Sequence, residues 1–141
     1  MNYVVADASF CAAWVLEDEC SSRAEALLQS VLDNQLALIL PALWHYEMYN
    51  LLVSASRRGR LSADDAAVAA EVLGRVPIQT VEVPTADSSR DALDLALRHG
   101  LSVYDAAYLE LSIRLQVSLY TLDKDLEKAA RAEGVSLSQS R

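Results

Sequence analysis

Short aliphatic runs, each set off by turn residues and separated by longer stretches of helical periodicity, constrain this chain more than any other feature. Tyr3 to Ala6, Ala37 to Leu40, Pro77 to Val81 and Ser118 to Thr121 read as strands, and Val135 to Leu137 reads as a weaker fifth. Between them the apolar spacing predicts helices over about Ser9 to Glu17, Ser22 to Asp33, Ala42 to Arg58, Ala63 to Gly74, Ala86 to His99, Tyr104 to Leu115 and Asp123 to Ala132. Strands that alternate with helices form βαβ units, and these give an α/β fold with a mainly parallel sheet covered on both faces.

The punctuation agrees. Pro41 precedes a helix start, Gly59 closes one helix, Ser62 caps the next, Gly100 closes the helix after Pro84, and Gly134 ends the last. The segment Tyr104 to Leu115 is apolar nearly all round, apart mainly from Glu110, Ser112 and Arg114, which predicts a largely buried helix. No repeat, low-complexity tract or linker interrupts the pattern, so a single domain over residues 1–141 is expected. That length, at 52% hydrophobic content, suffices for a core without disulfides or metals. No apolar stretch reaches the ~18 residues of a membrane span, and the longest, around Leu36 to Trp44, is broken by Pro41. With no secretory pattern at the N-terminus either, the expectation is a soluble cytoplasmic protein.

Cys11 and Cys20 fit neither a disulfide scaffold nor a zinc pattern, and His45 and His99 have no Ser or Cys partner placed for a triad. All four read as structural. Twenty acids against 12 bases give a formal charge of −8, which opposes nucleic-acid binding unless carboxylates converge on cations that reverse the local field. Arg57, Arg58 and Arg60 read equally as a local basic patch and as a helix C-terminus favoured by its dipole.

In an open parallel sheet, ligands sit beyond the carboxyl ends of the strands. Asp7 directly follows the first strand, and Asp123 stands shortly after Tyr120 at the end of another. Each is also a favoured helix N-cap. Ser102 and Asp105 match the Ser-x-x-Asp form of a capping box, which explains Asp105 without any function. Glu47 resists such an explanation: it lies four residues after Leu43 and four before Leu51, on the face those leucines would bury, where no cap is needed. A carboxylate there wants a cation or a hydrogen-bond partner. Asn50, at i+3, reads either as a residue that orients Glu47 or as an ordinary surface position.

Four stretches in order resemble the acidic motifs of the PIN-domain family, and within it the VapC-type toxins. They are Asp-Ala-Ser at Asp7 to Ser9 after a hydrophobic strand, Trp-x-x-Glu-x-x-Asn-x-Leu from Trp44 to Leu52, Tyr-Asp-Ala-x-Tyr-Leu from Tyr104 to Leu109, and Leu-Tyr-Thr-x-Asp from Leu119 to Asp123. The resemblance covers essentially the whole chain. It implies a three-layer α/β/α sandwich and a ribonuclease dependent on Mg2+ or Mn2+, with Asp7, Glu47, Asp105 and Asp123 as the acidic cluster. Ser9 and Thr121 match positions that line the site through hydroxyls, and Asp125 competes with Asp123 for the fourth role. A homodimer and a small VapB-like antitoxin are implied as well, the latter inserting a basic side chain among the acids, with Trp14, Trp44, Tyr46 and Tyr49 available for an apolar groove.

Clustered carboxylates suit such chemistry, because Mg2+ takes oxygen ligands, keeps several waters and so leaves room for phosphate. In-line hydrolysis of a phosphodiester then needs no covalent nucleophile, with Asp7 and Asp105 as principal ligands and Glu47 and Asp123 completing the set. Rival folds fit less well. A phosphorelay receiver needs a phosphoacceptor aspartate where Val83 and Pro84 follow the third strand, a haloacid-dehalogenase-like phosphatase needs a second Asp at Ser9, and nucleotide folds need glycine-rich turns. A PIN-like binding module without catalysis is the alternative of a different class. Asp87, Asp91 and Asp94 share a helical face and read as solvated residues near a helix N-terminus.

Overall fold

The order of the strands sets everything else. In the computed structural model, which describes residues 2–16, 21–82 and 84–137, four parallel strands pair in the order β3-β2-β1-β4: β1 (Tyr3–Ala6), β2 (Ala37–Pro41), β3 (Ile78–Val81) and β4 (Leu119–Tyr120). The chain therefore moves outward from β1 through β2 to β3, then returns across the sheet to lay β4 on the other side of β1. Right-handed crossovers put the β1–β2 and β2–β3 connections on one face and the β3–β4 connection on the other. The result is the three-layer α/β/α sandwich that was expected.

The first face carries α1 (Ala8–Cys11), α2 (Ser22–Leu32), α3 (Leu43–Arg57) and α4 (Ala63–Arg75); α5 (Ala86–His99), α6 (Val103–Leu115) and α7 (Lys124–Ala132) complete the seven described α-helices. None is long and apolar enough to cross a membrane. Val5, Ala6, Leu38, Leu40 and Leu119 from the strands are buried with Phe10, Trp44, Met48, Tyr108 and Leu109 from the helices in one core. The central strand β1 is buried at three of its four positions, as a strand covered on both faces must be.

Several expected elements differ in detail. The first helix stops at Cys11 and tightens into a 3-10 turn over Ala12–Trp14, where the Trp14 indole Nε1 donates to the Ala24 carbonyl at 2.8 Å and so ties this turn to α2. Glu17, its predicted end, lies outside the described residues, as does Cys20. The weak fifth strand reduces to one parallel bridge between Leu119 and Leu137, supported by Leu119 N donating to Ser136 O at 2.9 Å. The helix α6 is less enclosed than its composition predicts, since Val103, Tyr104, Ile113 and Leu115 are exposed. Its Glu110 is instead buried, and takes two hydrogen bonds from the Arg114 guanidinium one turn on. Arg57 falls in the last turn of α3 and Arg58 is its C-cap, which supports the dipole reading of that cluster. Asp94 pairs with Arg98, and Asp87 and Asp91 are exposed, in line with a solvated face.

Burial decides what each apolar side chain contributes. Leu40 is fully buried in β2, whereas Leu97 on α5 is 77% exposed. Leu40→Ala should cost about 2–5 kcal/mol and Leu97→Ala less than about 0.5 kcal/mol by urea unfolding; comparable losses would contradict this layered core.

Candidate active site

The strand order reverses between β1 and β4, and such a switch point leaves a crevice at the carboxyl ends of the two strands. Asp7 stands there. Its backbone N–H donates to Tyr120 O at 3.0 Å, so the β1–β4 ladder itself places it beside Thr121. The side chain is 3% exposed and held by three donors: Oδ1 accepts from Ser9 Oγ at 2.7 Å and Phe10 N at 3.0 Å, and Oδ2 accepts from Thr121 Oγ1 at 2.5 Å. A carboxylate oxygen offers two lone pairs. Oδ1 is thus saturated, while Oδ2 keeps one open.

Both hydroxyls are themselves fixed. Ser9 Oγ accepts from Leu122 N at 3.1 Å, and Thr121 Oγ1 accepts from Asp123 N at 3.0 Å, so each hydroxyl points its proton at Asp7. The capping role expected for Asp7 is also present, since the bond from Phe10 N starts α1. The cap uses Oδ1 alone, and Oδ2 takes the Thr121 bond.

Asp105 sits in the first turn of α6. Ser102 Oγ accepts from Asp105 N at 3.1 Å, but no returning bond from the Asp105 carboxylate to the cap is described, so only half of the expected capping box forms. The freed carboxylate faces other acids. Burial lifts its pKa above the ordinary value; the charge of Asp123 lifts it further, the hydrogen bond at Ser102 works the other way, and Asp125 adds to the rise. Asp123 caps α7 through Oδ1, which accepts from Leu126 N at 2.8 Å, and Asp125 is exposed one residue into that helix.

Glu47 reaches the same place from the second turn of α3. The fully buried stripe of that helix is Trp44, Met48, Leu52 and Ala55, and Glu47 lies on its half-buried flank with Leu43 and Leu51, less enclosed than the leucine spacing predicted. Its pKa is raised by burial, lowered by the hydrogen bond from Tyr108, and raised again by Asp105 and Asp7. Asn50 does not orient it. That residue is exposed on the outer side of α3, and the donor is the Tyr108 hydroxyl, 2.5 Å from Glu47 Oε1. Within the Tyr-Asp-Ala-x-Tyr-Leu motif Tyr108 reads as core, because a tyrosine in an apolar helix usually is; its i+3 spacing from Asp105 is the signal that marks it.

The Asp7 carboxyl is likewise raised by burial against the pull of Thr121, Ser9 and Phe10, with Asp105 adding to the rise. Asp7, Glu47 and Asp105, from three separate segments, thus share one field, and Asp123 and Asp125 adjoin it through Asp105. The described ion pairs all lie elsewhere, at Asp94–Arg98–Glu133–His99, Glu110–Arg114 and Glu127 with Lys124 and Arg131. Among the described residues no three His, Cys, Asp or Glu side chains are close enough to close around one ion unaided. A hard cation that keeps its waters needs only one or two carboxylates, and the all-oxygen donor set matches Mg2+ or Mn2+. Cys11 is buried, which pushes its thiol above the ordinary value and keeps it a neutral core residue.

Of the aromatics expected along a groove, Trp44 is fully buried and packs edge-on to Trp14, while Tyr46 and Tyr49 are exposed.

Comparison with known proteins agrees with this architecture. The family model for the PIN domain matches residues 4–132. Ribonuclease VapC3 of Pyrobaculum aerophilum is 37% identical over 124 residues, which make up 87% of this chain and 91% of that protein. The crystal structure of PAE2754 from Pyrobaculum aerophilum superposes with a TM-score of 0.71 at 21% identity, over 97% of this chain and 89% of that one. That of VapBC2 from Rickettsia felis, bound to a DNA fragment from their promoter, does so with a TM-score of 0.68 at 13% identity, over 100% of both chains. At those identities the two structures establish a common fold. The family model spans nearly the whole chain and the VapC3 match is both long and close, so the chain belongs to the PIN-domain family, in its VapC group.

Proposed function

We propose that this chain is a single-domain, metal-dependent endoribonuclease, the toxin of a VapBC-type toxin–antitoxin pair, acting on RNA in the cytoplasm. The observation that carries the reading is the grouping of Asp7, Glu47 and Asp105 near the β1–β4 switch point, with Asp123 beside Asp105: burial and neighbouring acids raise the pKa of the first three, and no described ion pair offsets them. Kinship with Ribonuclease VapC3 supports the choice of RNA.

In this mechanism Asp7 and Asp105 are the principal ligands, with Glu47 and Asp123 completing the set directly or through water. When bound, Mg2+ or Mn2+ supplies the positive charge that admits a phosphodiester and lowers the pKa of the attacking water. The protein's own part is orientation. Ser9 and Thr121 hold the Asp7 carboxylate still by donating to both its oxygens, and the open lone pair on Oδ2 is what remains for a ligand. Buried, preoriented carboxylates need no reorganisation when the substrate arrives.

The VapBC reading also brings partners. Tyr46, Tyr49 and Val53 project from one exposed face of α3, and Val68 and Val72 from α4 packed beside it, an apolar surface suited to a small antitoxin whose basic residue enters the acidic site. Leu93 and Leu97 on α5 are exposed at i, i+4 spacing and suit a second copy of the chain. Sedimentation should therefore give about twice the chain mass of 15.4 kDa, and a monomer at micromolar concentration would remove the dimer.

Expression of the chain should arrest bacterial growth, and co-expression of the neighbouring small reading frame should relieve it. A module that only binds would instead retain its effect after the acids are replaced.

Asp7→Asn tests chemistry and electrostatics together. RNA cleavage should fall by at least about 100-fold. Because the folded-state pKa of Asp7 is raised, the folded protein holds its proton more tightly than the unfolded chain, so this group's contribution to stability is lost as pH rises from the ordinary value of 3.8 through the raised one. Metal-free Asp7→Asn should accordingly melt a few degrees above the metal-free wild type at pH 7, and the difference should vanish in acid. Full cleavage by the variant would overturn Asp7 as a metal ligand of the nuclease, and equal melting at pH 7 would overturn the cost of burying its charge.

By the same sign, Mn2+ should raise the wild-type melting temperature more at pH 7 than in acid, where protons occupy the carboxylates it needs. Calorimetric melts at the two pH values decide this, and an equal shift at both would contradict it.

A further inference from the structure

We propose that Tyr108 is a positioning residue for the acidic site: its hydroxyl takes one oxygen of Glu47 and leaves the other to face a divalent cation. The inference rests on the nuclease reading above and assigns within it a residue that the four acids and two hydroxyls do not account for.

Tyr108 is 1% exposed, and its ring packs in the core between the helix layers, so the hydroxyl must find an acceptor inside the protein. It finds Glu47 Oε1 at 2.5 Å, across from α6 to α3. Those two helices belong to crossovers on opposite faces of the sheet, and this hydrogen bond links them. Without this bond Glu47 would carry no described hydrogen bond, and three side-chain dihedrals would let its carboxylate swing outward, away from Asp7 and Asp105. The Tyr108 ring has no comparable freedom. A rigid phenol gripping a flexible glutamate converts a mobile charge into a fixed one.

The spacing adds a second constraint. Asp105 and Tyr108 lie three residues apart on α6, so one turn of a single helix carries a cluster acid and the group that aims another acid. Any displacement of α6 moves both together. Asp7 Oδ1 is saturated by Ser9 and Phe10 in the same way that Tyr108 engages Glu47 Oε1. Each carboxylate keeps capacity on its second oxygen: Asp7 Oδ2 has a lone pair beside its bond from Thr121, and Glu47 Oε2 has no described hydrogen bond.

A merely structural tyrosine would satisfy its own hydroxyl through Glu47 and contribute nothing to ion binding. Tyr108→Phe separates the two, because it keeps the ring and deletes only the donor. Mn2+ titration calorimetry should give a Kd raised about tenfold, as for other groups that orient metal ligands. RNA cleavage should fall by a similar factor at subsaturating Mn2+ and recover at saturation. In a Glu47→Gln background the same substitution should change the Mn2+ Kd less than twofold, since the carboxylate it aims is gone.

A Kd for Tyr108→Phe within twofold of the wild type, with the variant folded by circular dichroism, overturns the proposal and leaves the nuclease reading standing. Wild-type protein that neither binds Mn2+ nor cleaves RNA overturns both. If Tyr108→Phe does not fold, Mg2+ titration of wild-type protein carrying 13C-labelled tyrosine replaces it. The Tyr108 ring carbon must then shift with saturation, and a stationary resonance overturns the proposal.

Discussion

Register between β1 and β4 is the constraint on which the rest of the molecule depends. Ala6 pairs with Tyr120, so Asp7 and Thr121 emerge side by side at the carboxyl edge. A slip of one residue would turn every side chain of β4 to the opposite face and take the Thr121 hydroxyl away from Asp7. The ladder is short, only two residues in β4, and side chains extend it: Thr121 to Asp7, Ser9 to Asp7 and Leu122 N to Ser9 carry the pairing past the last strand residue. Site and sheet are one hydrogen-bonded network there.

The same edge gathers charge that the fold does not neutralise. Burial raises Asp7, Glu47 and Asp105, and their mutual repulsion raises them further. Elsewhere the chain is careful with its charges: Glu110 is buried under the two-pronged guanidinium of Arg114, and Glu133, whose pKa is lowered first by the hydrogen bond to His99, ties α7 to the end of α5 together with Arg98. Glu110 and Glu133 are paired, whereas Asp7, Glu47 and Asp105 stay close together with no described ion pair, a local departure from the charge pairing elsewhere of the kind found at functional sites. A cation bound there would reverse the local field, so a formal charge of −8 does not by itself exclude RNA.

Economy of polar groups is the other theme. Asp7 and Asp123 each cap a helix with one oxygen, and Ser102 caps α6 through the N–H of Asp105 while the Asp105 carboxylate turns away. A cap fixes the backbone of the residue that bears the carboxylate, so capping is compatible with a further role for the same side chain. Treating them as competing explanations, as spacing alone suggests, sets up a choice the molecule does not make.

The sequence by itself determined the alternation of strands and helices, the parallel sheet, most helix ends and the placing of Asp7 and Asp123 just past strand ends, because strand and helix periods are local and Gly and Ser at boundaries act through their own backbone. Gly100 does so at a φ of +66°, where an L side chain would be strained. Tertiary structure alone decided that Tyr108 and not Asn50 holds Glu47, that the capping box at Asp105 is half formed, and that α6 exposes Val103 and Tyr104 while burying Glu110. Those outcomes turn on which helix faces which across the sheet's edge. No periodicity within one segment encodes the distance from residue 47 to residue 108; it comes from β1 lying between β2 and β4, with α3 and α6 brought over the same end.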